Sequence, residues 1–222
     1  LVKGELSGEQ TGCLIEDAWE RSDPWGPAIG ALAHSTLQRV RFSASVDGMR
    51  AELTTHSRRL AENPAEHERV TGFWKNDRFL EWLSENPGRS VDSMREWEFA
   101  CRLRLPEAVI DLRGAVDCMY RMRPDGAWRL VDYKFLRRVS PEARVRYRDQ
   151  VLLYAYAARA QGLELETEAT LVLVGADGSF CPESVSLTEA DLGIWLQRVG
   201  DAAGALAHLR RGELPPGVAL DR

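Results

Sequence analysis

The sequence predicts an α/β fold, a central mixed sheet flanked by helices, with a helical part at its N-terminus. Three observations predict it. Apolar residues recur at helical spacing through the first third of the chain. The middle changes to strand-like segments joined by turn residues. The last third alternates two long helical stretches with two short strands.

Each element has a local reason. After Asp23-Pro24-Trp25-Gly26-Pro27, a helix over about 27–42 aligns Ile29, Leu32, Ala33, Thr36, Leu37 and Val40. A second helix is expected over about 48–61. A third, over about 66–84, draws its apolar side from Val70, Phe73, Trp74, Phe79, Leu80, Trp82 and Leu83, and Asn86-Pro87-Gly88 stops it. Strands are expected over about 95–104, 111–123 and 128–135. Pro124-Asp125-Gly126 joins the last two as a tight hairpin, because Asp-Gly accepts the positive φ of such turns. Ser140-Pro141 opens a long helix that ends near Gly162. Strands over about 169–174 and 180–186 flank Asp177-Gly178. A last helix runs from Thr188 to about Arg211, where Gly212 and Pro215-Pro216 end it. The expected organisation is one domain over 1–222. Residues 1–90 are mainly helical, and 91–222 carry the sheet and its helices.

Composition narrows the function classes. No apolar run reaches the roughly 20 residues that span a bilayer, so no membrane partner is expected. Cys13, Cys101, Cys118 and Cys181 form no CxxC pair, so neither a zinc site nor an iron–sulfur cluster is expected. Thiols so dispersed suit a reducing cytoplasm, the expected location. The chain opens on Leu1 and is expected to be a piece of a longer polypeptide. Its net charge of −5 argues against gripping nucleic acid by charge alone. Yet the stretch from Arg121 to Arg148 is locally basic.

The hairpin carries the chemistry. With Asp125-Gly126 as a two-residue loop, Lys134 falls opposite Asp117 and Asp132 opposite Met119. Side chains alternate along a strand, so Asp117, Asp132 and Lys134 share one face. Val116, Cys118, Tyr120, Met122, Val131, Tyr133 and Phe135 take the other, with Arg129 as the polar exception. Two close carboxylates repel unless a cation or proton lies between them. Mg²⁺ takes oxygen ligands and keeps places for water and phosphate. Such a site can hold a phosphodiester and activate water, while a lysine neutralises charge growing on phosphorus. From spacing alone, Asp117 and Lys134 read equally well as a surface ion pair.

Five ordered segments decide between these readings. Gly30-Ala31-Leu32-Ala33-His34-Ser35-Thr36-Leu37-Gln38 is similar to a "G-x-x-x-H-x-x-L-E" helix. Arg95-Glu96-Trp97-Glu98-Phe99 is similar to an "E-x-P-F" strand. Gly114-Ala115-Val116-Asp117, then Leu130-Val131-Asp132-Tyr133-Lys134, match "G-x-x-D" and "D-Y-K". Gln150-Val151-Leu152-Leu153-Tyr154 matches "Q-x-x-x-Y". In this order, over about 28–160, they resemble the RecB-family nucleases of the PD-(D/E)XK superfamily, such as the C-terminal nuclease domain of AddA and RecB UvrD-like helicase-nucleases. The resemblance implies a restriction-endonuclease-like core. It implies metal ligation by His34, Asp117, Asp132 and the Tyr133 backbone carbonyl, with Lys134 as the catalytic lysine and Gln150 and Tyr154 lining the site. Asp117 and Asp132 count as catalytic with them.

The implied cofactor is Mg²⁺, with Mn²⁺ as substitute. The implied activity is a deoxyribonuclease, exonucleolytic rather than endonucleolytic, in double-strand break repair and recombination. The implied partners are DNA in single-stranded form, a helicase domain in the same parent chain and a partner nuclease or helicase subunit. A motor that feeds DNA would also answer the acidic net charge. The sequence departs from the pattern at Gln38 (for Glu), Glu98 (for Pro) and Phe135 (for Thr). A catalytically inactive domain that binds DNA or a partner is the alternative reading, and a hydrolase of small phosphoesters is another. Arg137, Arg138, Arg144, Arg146 and Arg148 read either as a solvated face or as a weak DNA-binding track. His56, His67 and His208 read as surface residues, and Phe73, Trp74, Phe79 and Trp82 as core.

Overall fold

The computed structural model describes residues 5–6, 27–42, 45–105 and 108–210. Cys13, the lead-in at Asp23–Gly26, the stop at Gly212, Pro215 and Pro216, and the Arg146 side chain lie outside the described residues. Among the described residues, four helices precede the long strands: α1 (Pro27–Leu37), α2 (Val46–Leu60), α3 (Pro64–Trp74) and α4 (Asp77–Glu85). The sheet contains β1 (Glu5–Leu6), β2 (Asp92–Arg104), β3 (Val109–Arg121), β4 (Arg129–Leu136), β5 (Glu168–Gly175) and β6 (Phe180–Ser186). Helix α5 (Pro141–Ala160) connects β4 to β5, and α6 (Glu189–Arg210) follows β6.

The sheet is mixed. β4 and β5 pair in parallel across the α5 crossover, and every other pairing is antiparallel. β5 is apolar on both faces, as a central strand between two helical layers must be. Val172 and Val174 join the core beneath α1–α4, whereas Leu171 and Leu173 join the core beneath α5 and α6. Three layers result: four helices, the sheet, and two helices.

The expected helix over 66–84 is two helices. The apolar pattern is as read, but Asn76 interrupts the backbone. Its side-chain oxygen accepts from Phe79 N–H at 3.1 Å and caps α4, while its amide donates to the Gly178 carbonyl at 2.9 Å. One short polar side chain thus ends α3, starts α4 and ties both to the β5–β6 turn.

The β3–β4 hairpin has a different register from the expected one. Cys118 pairs with Val131, Met119 with Leu130 and Tyr120 with Arg129, a slip of two residues. The turn is wider than Asp125-Gly126. Gly126 N–H donates to the Arg123 carbonyl at 3.0 Å, and Trp128 leaves the hairpin to bridge Leu165. A slip of two preserves the faces, so Asp117, Asp132 and Lys134 still share one side.

Val116 does depart from its expected face. It packs with the α5 core, while Cys118 and Tyr120 pack with the helical core. The alternation changes phase at Asp117 and its cross-strand neighbour Glu96. Arg95↔Cys118 and Trp97↔Val116 pair around them, and Glu96 has φ of 49°. A non-glycine residue in that region is strained, typically by about 1–3 kcal/mol, and needs its surroundings to hold it there.

Gly88, in the 3₁₀ turn Pro87–Arg89, shows how tightly the helical layer packs within itself. A Cβ there would collide with the Phe42 carbonyl oxygen and lie 2.9 Å from that of Leu83. Both obstacles are backbone. Gly88→Ala is therefore expected to lower unfolding free energy by about 1–3 kcal/mol, as overpacking does. Urea denaturation at constant m-value checks it.

Candidate active site

Four elements bring the site together. His34 lies in the last turn of α1, Glu96 at the irregular position of β2, Asp117 in β3, and Asp132 and Lys134 in β4. Below Cys118↔Val131 the β3–β4 ladder opens. The Asp117 carboxylate takes the place of a backbone acceptor there, receiving Tyr133 N–H at 2.7 Å. His34 Nδ1 is 3.5 Å from the other Asp117 oxygen. One ligand atom from each of His34, Glu96 and Asp117 falls within a 4.8 Å cluster, a donor set of one nitrogen and two carboxylates that suits a divalent cation.

Asp132 is fully buried beside this cluster. Its Oδ1 accepts from Lys134 Nζ at 3.1 Å, and its Oδ2 has no partner. A buried carboxylate oxygen without a donor costs free energy unless a cation or proton meets it. That orphaned oxygen, next to three further donors, fits a metal site. Lys134 extends over the Tyr147 ring, 5.1 Å from its centroid. On α5, Gln150 donates to the Tyr154 hydroxyl at 2.7 Å, as residues four apart on one helical face can. The Tyr154 ring packs edge-on against Phe99.

The electrostatics follow from burial. Burial and then Lys134 lower the His34 pKa to about 4, so the imidazole is neutral at pH 7 with a lone pair to offer. Burial raises Asp117 to about 6 against the pull of Lys134 and the Tyr133 N–H. Burial raises Asp132 to about 7; Lys134 opposes this and Asp117 adds to it. Burial works against the Lys134 ammonium, but Asp132 and Asp117 outweigh it and hold its proton more firmly than usual. Burial, and next Asp132, raise Tyr154, which stays a protonated donor.

His34, Asp117, Asp132, Tyr133, Lys134, Gln150 and Tyr154 thus converge, although the motifs stand far apart in the chain. The Tyr133 main chain is the weakest of the influences that pull the His34 pKa upward. No site role is read for Glu96 from sequence, although it leads the Glu96–Phe99 match; its strained backbone is what turns it to His34 and Asp117. Phe135 faces away from the cluster. It packs against Phe73 and Trp74 and meets the His34 ring edge-on at 5.3 Å, so this departure from the family pattern buttresses the histidine. Arg137, Arg138, Arg144 and Arg148 lie exposed around the β4–α5 connection. Arg138 is 4.0 Å from Asp177 and Arg144 3.9 Å from Glu183, so part of that track is spent on local acids.

The family model of the PD-(D/E)XK nuclease superfamily matches residues 13–217. No curated protein matches the chain. Among solved structures, the crystal structure of SSO0001 is 12% identical with a TM-score of 0.42, over 77% of this chain and 81% of that one. A crystallised protein of Eubacterium rectale, named as a candidate exonuclease, is 13% identical with a TM-score of 0.47, over 87% of this chain and 76% of that one. Among the described residues no helix is long and apolar enough to cross a membrane. The match spans all the elements that build the site, and the chain belongs to the PD-(D/E)XK nuclease superfamily.

Proposed function

We propose that this chain hydrolyses DNA phosphodiester bonds with a divalent cation, Mg²⁺ or Mn²⁺, and that it acts as an exonuclease on single strands. The observation that carries this reading is the buried, unpartnered Asp132 Oδ2 beside His34, Glu96 and Asp117. His34, Asp117, Asp132 and the Tyr133 carbonyl hold the cation, and Glu96 joins them as a further oxygen donor. When bound, the cation supplies Lewis acidity to the scissile phosphate and lowers the pKa of the attacking water.

The chain's own residues do the rest. Asp117 is fixed by the Tyr133 N–H, so its free oxygen is aimed before substrate arrives. Lys134 keeps its proton and presents a positive charge where charge grows on phosphorus. The Tyr147 ring backs that ammonium, and the Gln150–Tyr154 pair offers a neutral donor toward the same place. The exposed arginines at the β4–α5 connection meet the backbone of the incoming strand. Arg137, Arg138, Arg144 and Arg148 contribute affinity there and take no part in bond cleavage.

The RecB and AddA likeness of the five motifs supports a helicase domain in the same parent chain, a partner subunit and a task in double-strand break repair. A net charge of −5 suits a domain to which DNA is delivered. The free thiols Cys101, Cys118 and Cys181 support a cytoplasmic setting.

The test is a substrate panel: end-labelled single-stranded DNA, blunt duplex DNA, and bis(p-nitrophenyl) phosphate, each with Mg²⁺, Mn²⁺ or chelator. The expected result is metal-dependent release of short products from the ends of single strands, abolished by chelator. Turnover of the small diester with intact DNA would make the chain a general phosphodiesterase. DNA binding without cleavage under every metal would make it an inert binding domain.

A further inference from the structure

We propose that Arg95 is the positioning residue of the metal cluster: its guanidinium ties the end of α1 to β2 and so sets the distance between His34 and Glu96. This inference rests on the nuclease reading above. Arg95 Nη1 donates to three carbonyls in the turn that ends α1, those of Leu37 at 3.3 Å, Gln38 at 3.1 Å and Val40 at 2.6 Å. Its guanidinium carbon lies 3.8 Å from the centroid of the Phe42 ring, just beyond the same turn. Carbonyls at a helix C-terminus carry partial negative charge, so a charged Nη1 group that meets three of them is a strong tie.

The location gives the tie its consequence. Gln38 N–H bonds to the His34 carbonyl at 3.0 Å, which puts His34 one turn before the clamped carbonyls. Glu96, the residue after Arg95, is the one with φ of 49°. One side chain therefore joins the backbones of two of the three clustered donors, and the third, Asp117, lies across from Glu96. Arg95 also lines the same pocket as His34, Glu96 and Asp117. Without the clamp, α1 keeps its apolar contacts with the core but loses the polar link that fixes its end. The strained Glu96 then has fewer constraints holding it toward the histidine. Groups that orient metal ligands typically change affinity by about 10–100-fold when removed.

Arg50 provides the control. Its Nε donates to the Trp74 carbonyl at 3.2 Å, and its other nitrogens meet Asp47 and Asp77. It is a guanidinium tie at a helix end in the same layer, and it touches none of the donors. The experiment measures Mn²⁺ affinity of the full chain at pH 8 by calorimetry, with thermal melting and with cleavage rate as a function of Mn²⁺. Arg95→Met is expected to weaken Mn²⁺ binding about 10-fold, with the rate at saturating Mn²⁺ returning close to wild type. Arg95→Lys keeps the charge and loses the planar guanidinium that lies over Phe42, and is expected to weaken it about 3-fold. Arg50→Met is expected to lower the melting temperature and leave Mn²⁺ affinity unchanged. Unchanged affinity in a folded Arg95→Met protein, or equal weakening in Arg50→Met, would overturn the proposal. If Arg95→Met does not fold, unchanged affinity in Arg95→Lys overturns it instead. A wild-type chain that binds no Mn²⁺ removes the nuclease reading itself, a result distinct from either.

Discussion

Asp132→Asn is expected to lose cleavage by roughly 100- to 1,000-fold while making the metal-free protein more stable at pH 8. The two effects share a cause. Asp132 is fully buried with one oxygen unpartnered, and burial raises its pKa to about 7. A carboxylate whose folded pKa is raised stabilises the fold below its unfolded pKa, and that contribution is lost as pH rises through the folded value. Asp117, raised to about 6, behaves the same way. His34, lowered to about 4, has the opposite sign, since the unfolded chain takes up its proton first and stability rises with pH up to about 6.5. Asp117 and His34 therefore largely cancel. The decline that remains between about pH 4 and pH 7 follows Asp132, on the order of a few kcal/mol. The neutral amide removes that decline. Urea denaturation of the chelated protein at pH 5 and pH 8 should show wild type weakening with pH and Asp132→Asn changing less. Saturating Mn²⁺ should restore wild type at pH 8 and do little for the variant.

Lys134→Met is expected to lose cleavage to a similar extent, yet to shift stability the other way. The ammonium faces Asp132 at 3.1 Å and is the cation nearest the Asp132 and Asp117 carboxylates. Its folded pKa is raised by ionised Asp132 and Asp117, so its stabilisation is present at pH 8, below the ordinary lysine value, and depends on those carboxylates keeping their charge. Breaking a buried pair typically costs about 3–5 kcal/mol, and here the loss of the lysine leaves both Asp132 and Asp117 without a cation, whereas Asp132→Asn leaves Lys134 facing Asp117. At pH 5 the carboxylates hold protons and the loss shrinks. At pH 8 it is largest, and divalent metal recovers part of it. Two substitutions that both silence the site thus separate by the sign of their stability change. A site made only of surface ion pairs would give two small changes, each within about 1 kcal/mol.

Much of this arrangement is legible in the sequence for reasons that are local. Strand alternation puts Asp132 and Lys134 on one side of Tyr133, and that relation survives a register slip because the slip is even. The spacing of Gln150 and Tyr154 is one helical turn, and they meet. The apolar pattern over 70–83 identifies the core side of the helical layer. What sequence does not show depends on contacts between distant segments. Asn76 breaks a helix because its amide finds the Gly178 carbonyl across the fold. The β3–β4 turn widens because Trp128 is drawn to Leu165. Glu96 leads the "E-x-P-F" match, but the backbone angle that turns it into the site is not read from that pattern. Arg95 finds three carbonyls at the end of a helix more than fifty residues earlier.

The most direct measurement is single-turnover digestion of end-labelled single-stranded DNA at pH 8 with Mn²⁺. It compares wild type with Asp117→Asn, Asp132→Asn and Lys134→Met, each first verified as folded. Wild type is expected to cleave in a reaction that chelator stops, and all three variants are expected to lose roughly 100-fold or more. Cleavage by folded Asp132→Asn or Lys134→Met within about 3-fold of wild type would place the chemistry elsewhere in the chain and contradict this expectation.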